Sequence, residues 1–357
     1  MSDVEINPKS MRVFRITLTG LALLVVACRP GSFVEPENAA STDFTVLTLN
    51  LHTYQEIHSE GVAESELTDE LARQRIDSYG PLFDRIADGI TQLDPDVVCF
   101  QEVGEWSGGN TENPDSVLFG SSDSNMVHQI LQRLDEHYFY TMDWSHYGFD
   151  VWLEGSAILS KHPFIDTGSR FISNPDNGHY EFWKSRNVPM ARIELPGSGR
   201  VNVFSVHTGW WDDEEEPFQD QYRNLLAWAG EIAEPHETTF LCGDFNVPAG
   251  SRMQEFMTNG TGYSDQYALA NPDGLFDATI GGAIDGWEDN DSGQRIDYIL
   301  MNDDSLLKVE KAEIVFTEET YGIVSDHAGV YARFSRRIDS SARELPERRR
   351  LAGRDDD

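Results

Sequence analysis

The feature that most constrains this chain is a series of short apolar segments, each carrying a chemically capable polar residue at its end. VLTLN ends on Asn50, DVVCFQE on Glu102, VNVFSVH on His207 and TFLCGDFN on Asp244 and Asn246. Asp297 lies in RIDYIL, and Asp326 with His327 opens the last such segment in VSDHAGV. Apolar runs this short read as strands buried on both faces rather than as one side of a helix. A sheet holds its strand ends in fixed relation, so polar groups at those ends can be aimed at one spot. The chain must therefore bury many strands together and bring distant residues to one rim.

The remaining pattern is consistent with that demand. Strands are expected at Phe44 to Leu51, Val97 to Gln101, Ser156 to Leu159, Met190 to Leu195, Val201 to Val206, Thr239 to Leu241, Ile296 to Met301 and Val330 to Phe334. Helical stretches are expected at Glu64 to Gln92, broken at Gly80-Pro81, near Asn125 to Glu136, and at Phe218 to Ala233. Strands grouped with helices outside them imply two sheets packed face to face under helical layers. The 357 residues, 39% hydrophobic and 11% aromatic, suffice for a sizeable core. There is no internal repeat and no Gly-rich phosphate loop.

The 62 acidic and 27 basic residues give a formal net charge of -35. Such a surface repels polyanions, because non-specific nucleic-acid binding rests on Lys and Arg neutralising phosphates. Nucleic acid is therefore a disfavoured partner, while solubility in a salty medium accounts for the acidity equally well. Three cysteines do not make a disulfide framework. Cys99 and Cys242 sit inside apolar strands and read as core.

Cys28 stands apart. Basic Met11-Arg-Val-Phe-Arg, the apolar run Ile16 to Ala27 and small Ala27 before Cys28 form a signal peptide too short to span a bilayer comfortably. Val25-Val26-Ala27-Cys28 looks like a bacterial lipobox, which implies cleavage before Cys28, acylation of its thiol and an extracytoplasmic lipoprotein held by lipid alone, periplasmic or on the cell surface. An ordinary secretory signal is the alternative. Acidic Asp3 and Glu5 are unusual for such a leader and make Met11 an alternative start. Residues 28–42 read as a flexible tether, 43–335 as the folded domain, and 336–357 as a charged disordered tail.

The order N, QE, H, GDFN, ID and SDH across Phe44 to Phe334 resembles the endonuclease/exonuclease/phosphatase superfamily. The stretches SHYGFDVWLEGSAILSKHPF, HTGWWDDEEEPF and GWEDNDSGQRIDYIL are similar to a bacterial subgroup typified by maltose-6'-phosphate phosphatase. The resemblance implies an α+β fold, a four-layer α/β/β/α sandwich of two packed mixed β-sheets flanked by helices. It also implies a divalent-metal-dependent phosphoesterase with Mg²⁺ as cofactor, or Mn²⁺ in its place.

The chemistry of the residues agrees. A hard cation wants oxygen ligands and keeps several waters, so Glu102 can hold it, with Asn50 orienting water, metal or phosphate oxygen without adding repulsion. Resemblance makes Asp326 a second ligand and Asp297 the carboxylate behind one histidine, leaving open which. His207 and His327 can each donate to a phosphate oxygen. Asp244 can take a proton from water and Asn246 can position it; taken alone, an Asx-turn explains that pair as well.

The substrate wall is less determined. Lys184 and Arg186 can clamp a phosphate or serve as surface charges. His146 and Tyr147 match family positions that contact phosphate, though core packing explains Tyr147 nearly as well. Trp210 and Trp211 beside Asp212 to Glu216 suit a carbohydrate, with a buried Trp pair under a solvated acidic loop as the alternative. Asp285, Trp287, Glu288, Asp289, Asn290 and Asp291 form a second acidic and aromatic loop. The expected substrate is a small phosphorylated molecule, a sugar-phosphate monoester, with a phosphodiesterase of the nuclease or sphingomyelinase kind second and a non-catalytic binding lipoprotein third. The sequence says nothing of oligomeric state.

Overall fold

A computed structural model describes residues 43–55, 67–107, 123–148, 151–195, 199–274, 277–281 and 293–337. Cys28, the leader, the tether, the tail from 338 and the acidic loop holding Asp285, Trp287, Glu288, Asp289, Asn290 and Asp291 lie outside the described residues.

The chain runs β1 (Phe44–Asn50), α1 (Asp69–Ser78), α2 (Gly80–Leu93), β2 (Val97–Trp106), α3 (Met126–Leu131), β3 (Phe139–Gly148), β4 (Trp152–Ser160), β5 (Phe164–Phe171) and β6 (Asn187–Leu195). It continues through β7 (Gly199–His207), α4 (Phe218–Ile232), β8 (Thr238–Asp244), α5 (Arg252–Thr258), β9 (Tyr263–Asp265), α6 (Gln266–Ala270), β10 (Asp297–Asn302), β11 (Leu307–Val315) and β12 (Gly329–Arg336). The break between α1 and α2 falls at Tyr79, with Pro81 in the first turn of α2, where a missing N–H costs nothing. Thr68 caps α1 by accepting from Leu71 N, and Asn125 caps α3 by accepting from His128 N.

Two six-stranded sheets form, in the orders β11-β12-β1-β2-β4-β3 and β5-β6-β7-β8-β10-β9. Both are mixed: β1 with β2 and β7 with β8 are parallel, and their other pairings are antiparallel. Because successive strand residues point to opposite faces, each central strand feeds two layers. On β1, Phe44 and Val46 enter the layer between the sheets while Leu47 and Leu49 face the helices. On β8, Phe240 and Cys242 enter the same inner layer and Leu241 faces outward. Phe83, Ile86 and Ile90 of α2 cover the first sheet, and Phe218, Tyr222 and Leu225 of α4 cover the second. The result is the α+β four-layer sandwich, with Cys99 and Cys242 buried as free thiols in its middle. Truncating an inner-layer aromatic such as Phe240 would cost about 3–5 kcal/mol, since nothing can collapse into the space from either sheet.

Four strands, β3, β5, β9 and β11, carry no apolar run that a sequence reading would recover, and all four are sheet edges. β5 is largely exposed, and β11 loses its alternation at an irregularity between Val309 and Lys311. His146 and Tyr147 lie within β3, one strand ahead of the SAILS segment in β4.

Candidate active site

The polar ends meet because of strand direction. The parallel pairs β1/β2 and β7/β8 bring Asn50, His207 and Asp244 to one rim, with His207 directly beside Asp244 in register. Asp297 and His327 belong to that rim for the opposite reason. Asp297 opens β10, which runs antiparallel to β8 and pairs with Asp244, and His327 precedes β12, which runs antiparallel to β1.

Local backbone is bent to serve the rim. Glu102 sits where the β2/β4 register shifts between Phe100 and Val103 and holds φ +47°, a left-handed conformation that a glutamate adopts only under constraint. His52, Thr53 and Asn246 nearby also have positive φ. A Cβ at Gly243 would stand 1.8 Å from the Val206 carbonyl oxygen, so only glycine lets β8 deliver Asp244 this close to β7.

Asn50 Nδ2 donates to Glu102 Oε1 at 2.9 Å and to Asp244 Oδ2 at 3.1 Å, joining the two carboxylates. His207 Nε2 lies 3.8 Å from each of those oxygens. His327 Nε2 lies 3.8 Å from Asp244 Oδ2, and its Nδ1 is 2.9 Å from Asp297 Oδ2. Asp297 therefore orients His327, an assignment the sequence left open. Asp244 Oδ1 accepts from Asn246 N at 2.8 Å, so the Asx-turn exists, and Asn246 Nδ2 donates to the Thr208 carbonyl at 2.8 Å. Asp326 Oδ1 lies 3.4 Å from His52 Nδ1, and its charge acts on both Glu102 and His327.

The electrostatics follow from burial. Burial pushes Glu102 up to about 7, with the charges of Glu154 and Asp326 adding to it against His52 and the Asn50 hydrogen bond. Burial likewise pushes Asp244 up to about 8, Asp297 and Glu102 adding and His327 opposing. Burial and the neighbouring Arg186 hold His207 well below its ordinary value. Burial would lower His327 too, but Asp297, Asp326 and Asp244 hold it well above.

These donors fit a hard divalent cation. Ligand atoms of Glu102, His207 and Asp244 lie within 4.8 Å of one another, as do those of Asp244, Asp297 and His327. Burial and neighbouring carboxylates raise Glu102 and Asp244, and Asp297 Oδ1 is buried without a partner among the described residues. An added cation would relieve both conditions.

Beside the cluster stands a second wall. His146 Nε2 is 3.2 Å from Glu154 Oε1, and Arg186 is buried, its Nη1 3.2 Å from His146 Nδ1 and its guanidinium 5.0 Å from the Trp211 ring centre. Lys184 turns to the acidic loop, pairing with Asp213 and, at 2.8 Å, with Glu215. Trp211 is buried while Trp210 and Trp183 are about half exposed, both rings packing on Trp211. Tyr147 packs in the layer under the helices. Sequence reasoning did not single out Glu154; the signal available was a carboxylate inside WLEGSAILS, a strand otherwise without charge and buried throughout.

A sequence profile of the Endonuclease/Exonuclease/phosphatase family matches residues 76–327. No curated protein matches the chain. Solved structures do. A family protein from Leptotrichia buccalis aligns over 82% of this chain and 99% of its own with 22% identity and a TM-score of 0.63. A mannosyl-6-phosphatase from Bacteroides thetaiotaomicron aligns over 82% and 99% with 17% identity and a TM-score of 0.54. The human Nocturnin catalytic domain aligns over 83% and 94% with 18% identity and a TM-score of 0.52. At these identities the structural likeness speaks to fold, and the profile speaks to family: the chain belongs to the endonuclease/exonuclease/phosphatase family, whose members are metal-dependent phosphoesterases or nucleases.

Proposed function

We propose that this enzyme hydrolyses a small phosphomonoester, with a phosphorylated carbohydrate as substrate, by in-line attack of water. Asp244, raised toward neutral pH, accepts the proton of the attacking water, and Asn246, fixed through its backbone N–H and its side-chain amide, orients that water. His327, kept protonated by Asp297, and His207 donate to phosphoryl oxygens as charge develops there. Glu102 and Asn50, with Asp326 at the edge, would hold Mg²⁺ or Mn²⁺, which when bound neutralises charge on the phosphoryl and leaving oxygens.

One observation carries the carbohydrate reading. Trp183 and Trp210 lean on Trp211 and expose their rings beside a loop whose Asp212 and Glu214 are exposed, so ring faces can stack on sugar C–H groups while those carboxylates accept hydroxyls. The mannosyl-6-phosphatase likeness and the subgroup motifs are in keeping with it. The net charge of -35, and the engagement of Lys184 by the acidic loop, disfavour a nucleic-acid groove.

Purified protein is offered sugar phosphates, bis-p-nitrophenyl phosphate, plasmid DNA and sphingomyelin, each with Mg²⁺ or EDTA. Sugar phosphates turn over in Mg²⁺ alone, and Trp210→Ala raises their KM about threefold to tenfold while sparing p-nitrophenyl phosphate. Turnover of the diester, DNA or lipid but of no monoester would overturn the reading. We further propose that Cys28 is acylated and anchors the enzyme outside the cytoplasm. Palmitate incorporation that persists in Cys28→Ser would refute this.

A further inference from the structure

DVVCFQE closes on two polar residues that point different ways. Glu102 faces the rim, whereas Gln101 continues the inward series of Val97 and Cys99 on β2, just as Thr48 follows Val46 on β1 and Ser205 follows Val203 on β7. All three side chains are fully buried in the layer between the sheets. Thr48 Oγ1 donates to Gln101 Oε1 at 3.2 Å, Gln101 Nε2 donates to Ser205 Oγ at 2.9 Å, and Ser205 Oγ donates to the Phe100 carbonyl at 2.8 Å. Because Ser205 gives its one proton to that carbonyl, it can only accept from Gln101, which settles how the amide is turned. The bonds thus cross from the first sheet to the second.

This bridge lies directly beneath the rim. Thr48 stands two residues before Asn50, Gln101 one before Glu102, and Ser205 two before His207. The amide also lies against β8, where a Cβ at Gly243, the neighbour of Asp244, would stand 3.0 Å from Gln101 Nε2. Glu102 needs such a hold. Phe100 faces the helix layer, and in a regular strand Glu102 would follow it there. The bulge and the φ of +47° turn it to the rim instead, a conformation that persists only where its surroundings over-determine it. Leu51 N donates to the Gln101 carbonyl and Thr53 N to the Glu102 carbonyl, each at 2.9 Å, which ties the bulge to its own sheet. The Gln101 side chain ties it to the sheet that delivers His207 and Asp244.

We propose that Gln101 is a positioning residue: its amide, held between Thr48 and Ser205, sets the separation of Glu102 on one sheet from His207 and Asp244 on the other. The inference rests on the phosphoesterase reading above for what those groups do, and adds how the two halves of the site are kept in register. Groups that act together across such a gap must hold their spacing to within about 0.5 Å, so loosening the bridge falls on metal affinity and kcat more than on KM.

The test separates placement from stability by removing the whole bridge in the full chain. Thr48→Val, Gln101→Met and Ser205→Ala together replace three polar groups by apolar ones of similar shape, so the melting temperature stays within about 3 °C of wild type. By calorimetry Mg²⁺ binds this triple variant about tenfold more weakly, and with p-nitrophenyl phosphate at saturating Mg²⁺ kcat falls about tenfold while KM stays within about threefold. If the triple variant does not fold, Ser205→Ala, which removes a single oxygen, carries the test with a loss of about threefold in Mg²⁺ affinity. Wild-type Mg²⁺ affinity and kcat in the folded variant would overturn the inference, as would a lowered melting temperature with both of them intact, the mark of a purely structural role. A wild type that binds no Mg²⁺ would overturn it as well. Calorimetry needs no turnover, so a wild type that binds Mg²⁺ but cleaves no phosphate ester would sink the function proposed above and leave Gln101 to be judged by the affinities.

Discussion

The two ends of the first sheet treat a buried carboxylate in opposite ways. Where β1 and β2 begin, Asp96 accepts from Thr45 N at 2.9 Å and Thr45 Oγ1 at 2.7 Å, with His162 Nε2 3.0 Å from its other oxygen. Burial raises its pKa, but those hydrogen bonds more than offset the effect and hold it below its ordinary range. Where β1 ends and β2 bulges, Glu102 has one amide donor, Asn50, shared with Asp244, and burial prevails. One end is closed and stabilising. The other stores uncompensated charge, and the difference shows which end is built to receive something.

Removing Asp244 should break the contrast most severely. Asp244→Asn should lower kcat/KM by about a thousandfold or more, as expected for a lost proton acceptor in a site that acts as a unit, while its melting temperature at neutral pH holds because burial already favours the uncharged carboxyl there. A variant within tenfold of wild type would show that Asp244 does not take the proton.

Mg²⁺ should stabilise one end only. At a hundredfold excess over its Kd the ion adds about 2.7 kcal/mol to folding, measured as a rise in melting temperature that EDTA reverses. Glu102→Gln should abolish the rise and Asp96→Asn should keep it. An equal rise in Glu102→Gln would place the ion elsewhere.

The pH dependence of stability sharpens the same point. Glu102 and Asp244 are raised to about 7 and about 8, and His327 is raised as well, so between pH 6.5 and 8 the folded state binds more protons than the unfolded state. Stability of the metal-free protein should therefore fall as pH rises through that window, by up to about 1.4 kcal/mol per pH unit for each proton in excess. Asp96 acts with the opposite sign: its contribution is present above the unfolded value of 3.8 and is lost as pH falls through its lower folded value. Urea melts at pH 6.5 and 8 test the first statement, and a flat or rising trend in wild type that is unchanged in Asp244→Asn would contradict it.

The smallest effect belongs to the settled end. Asp96→Asn should cost about 1–2 kcal/mol of stability through weakened hydrogen bonds to Thr45 and His162, with kcat/KM unchanged. A kinetic defect there would dissolve the distinction between the two ends.

Legibility in the sequence followed burial. The eight interior strands are apolar on both faces because each lies between a second sheet and a helix layer, and all could be read from composition and length. The four edge strands, with one flank unpaired and much surface in solvent, obey no such rule, which is why β5 and β11 are missing from the strands that apolar runs mark. The site divides in the same way. Asn50, Glu102, His207, Asp244, Asp297 and His327 were visible as polar residues interrupting apolar strands. Lys184 and Arg186 could not be told apart two residues from each other, although one pairs with the acidic loop and the other is buried against Trp211.

The sequence alone therefore determined the two-sheet core, the family and the identity of the rim residues, because apolar periodicity and residue type are local properties of the chain. Which histidine Asp297 orients, which cation stays with the site, and that Glu154 stands behind His146 were decided only by tertiary structure. The first two depend on contacts between residues 30 and 40 positions apart, and the third on the β3/β4 register that sets His146 opposite Glu154, none of which residue type or local periodicity states.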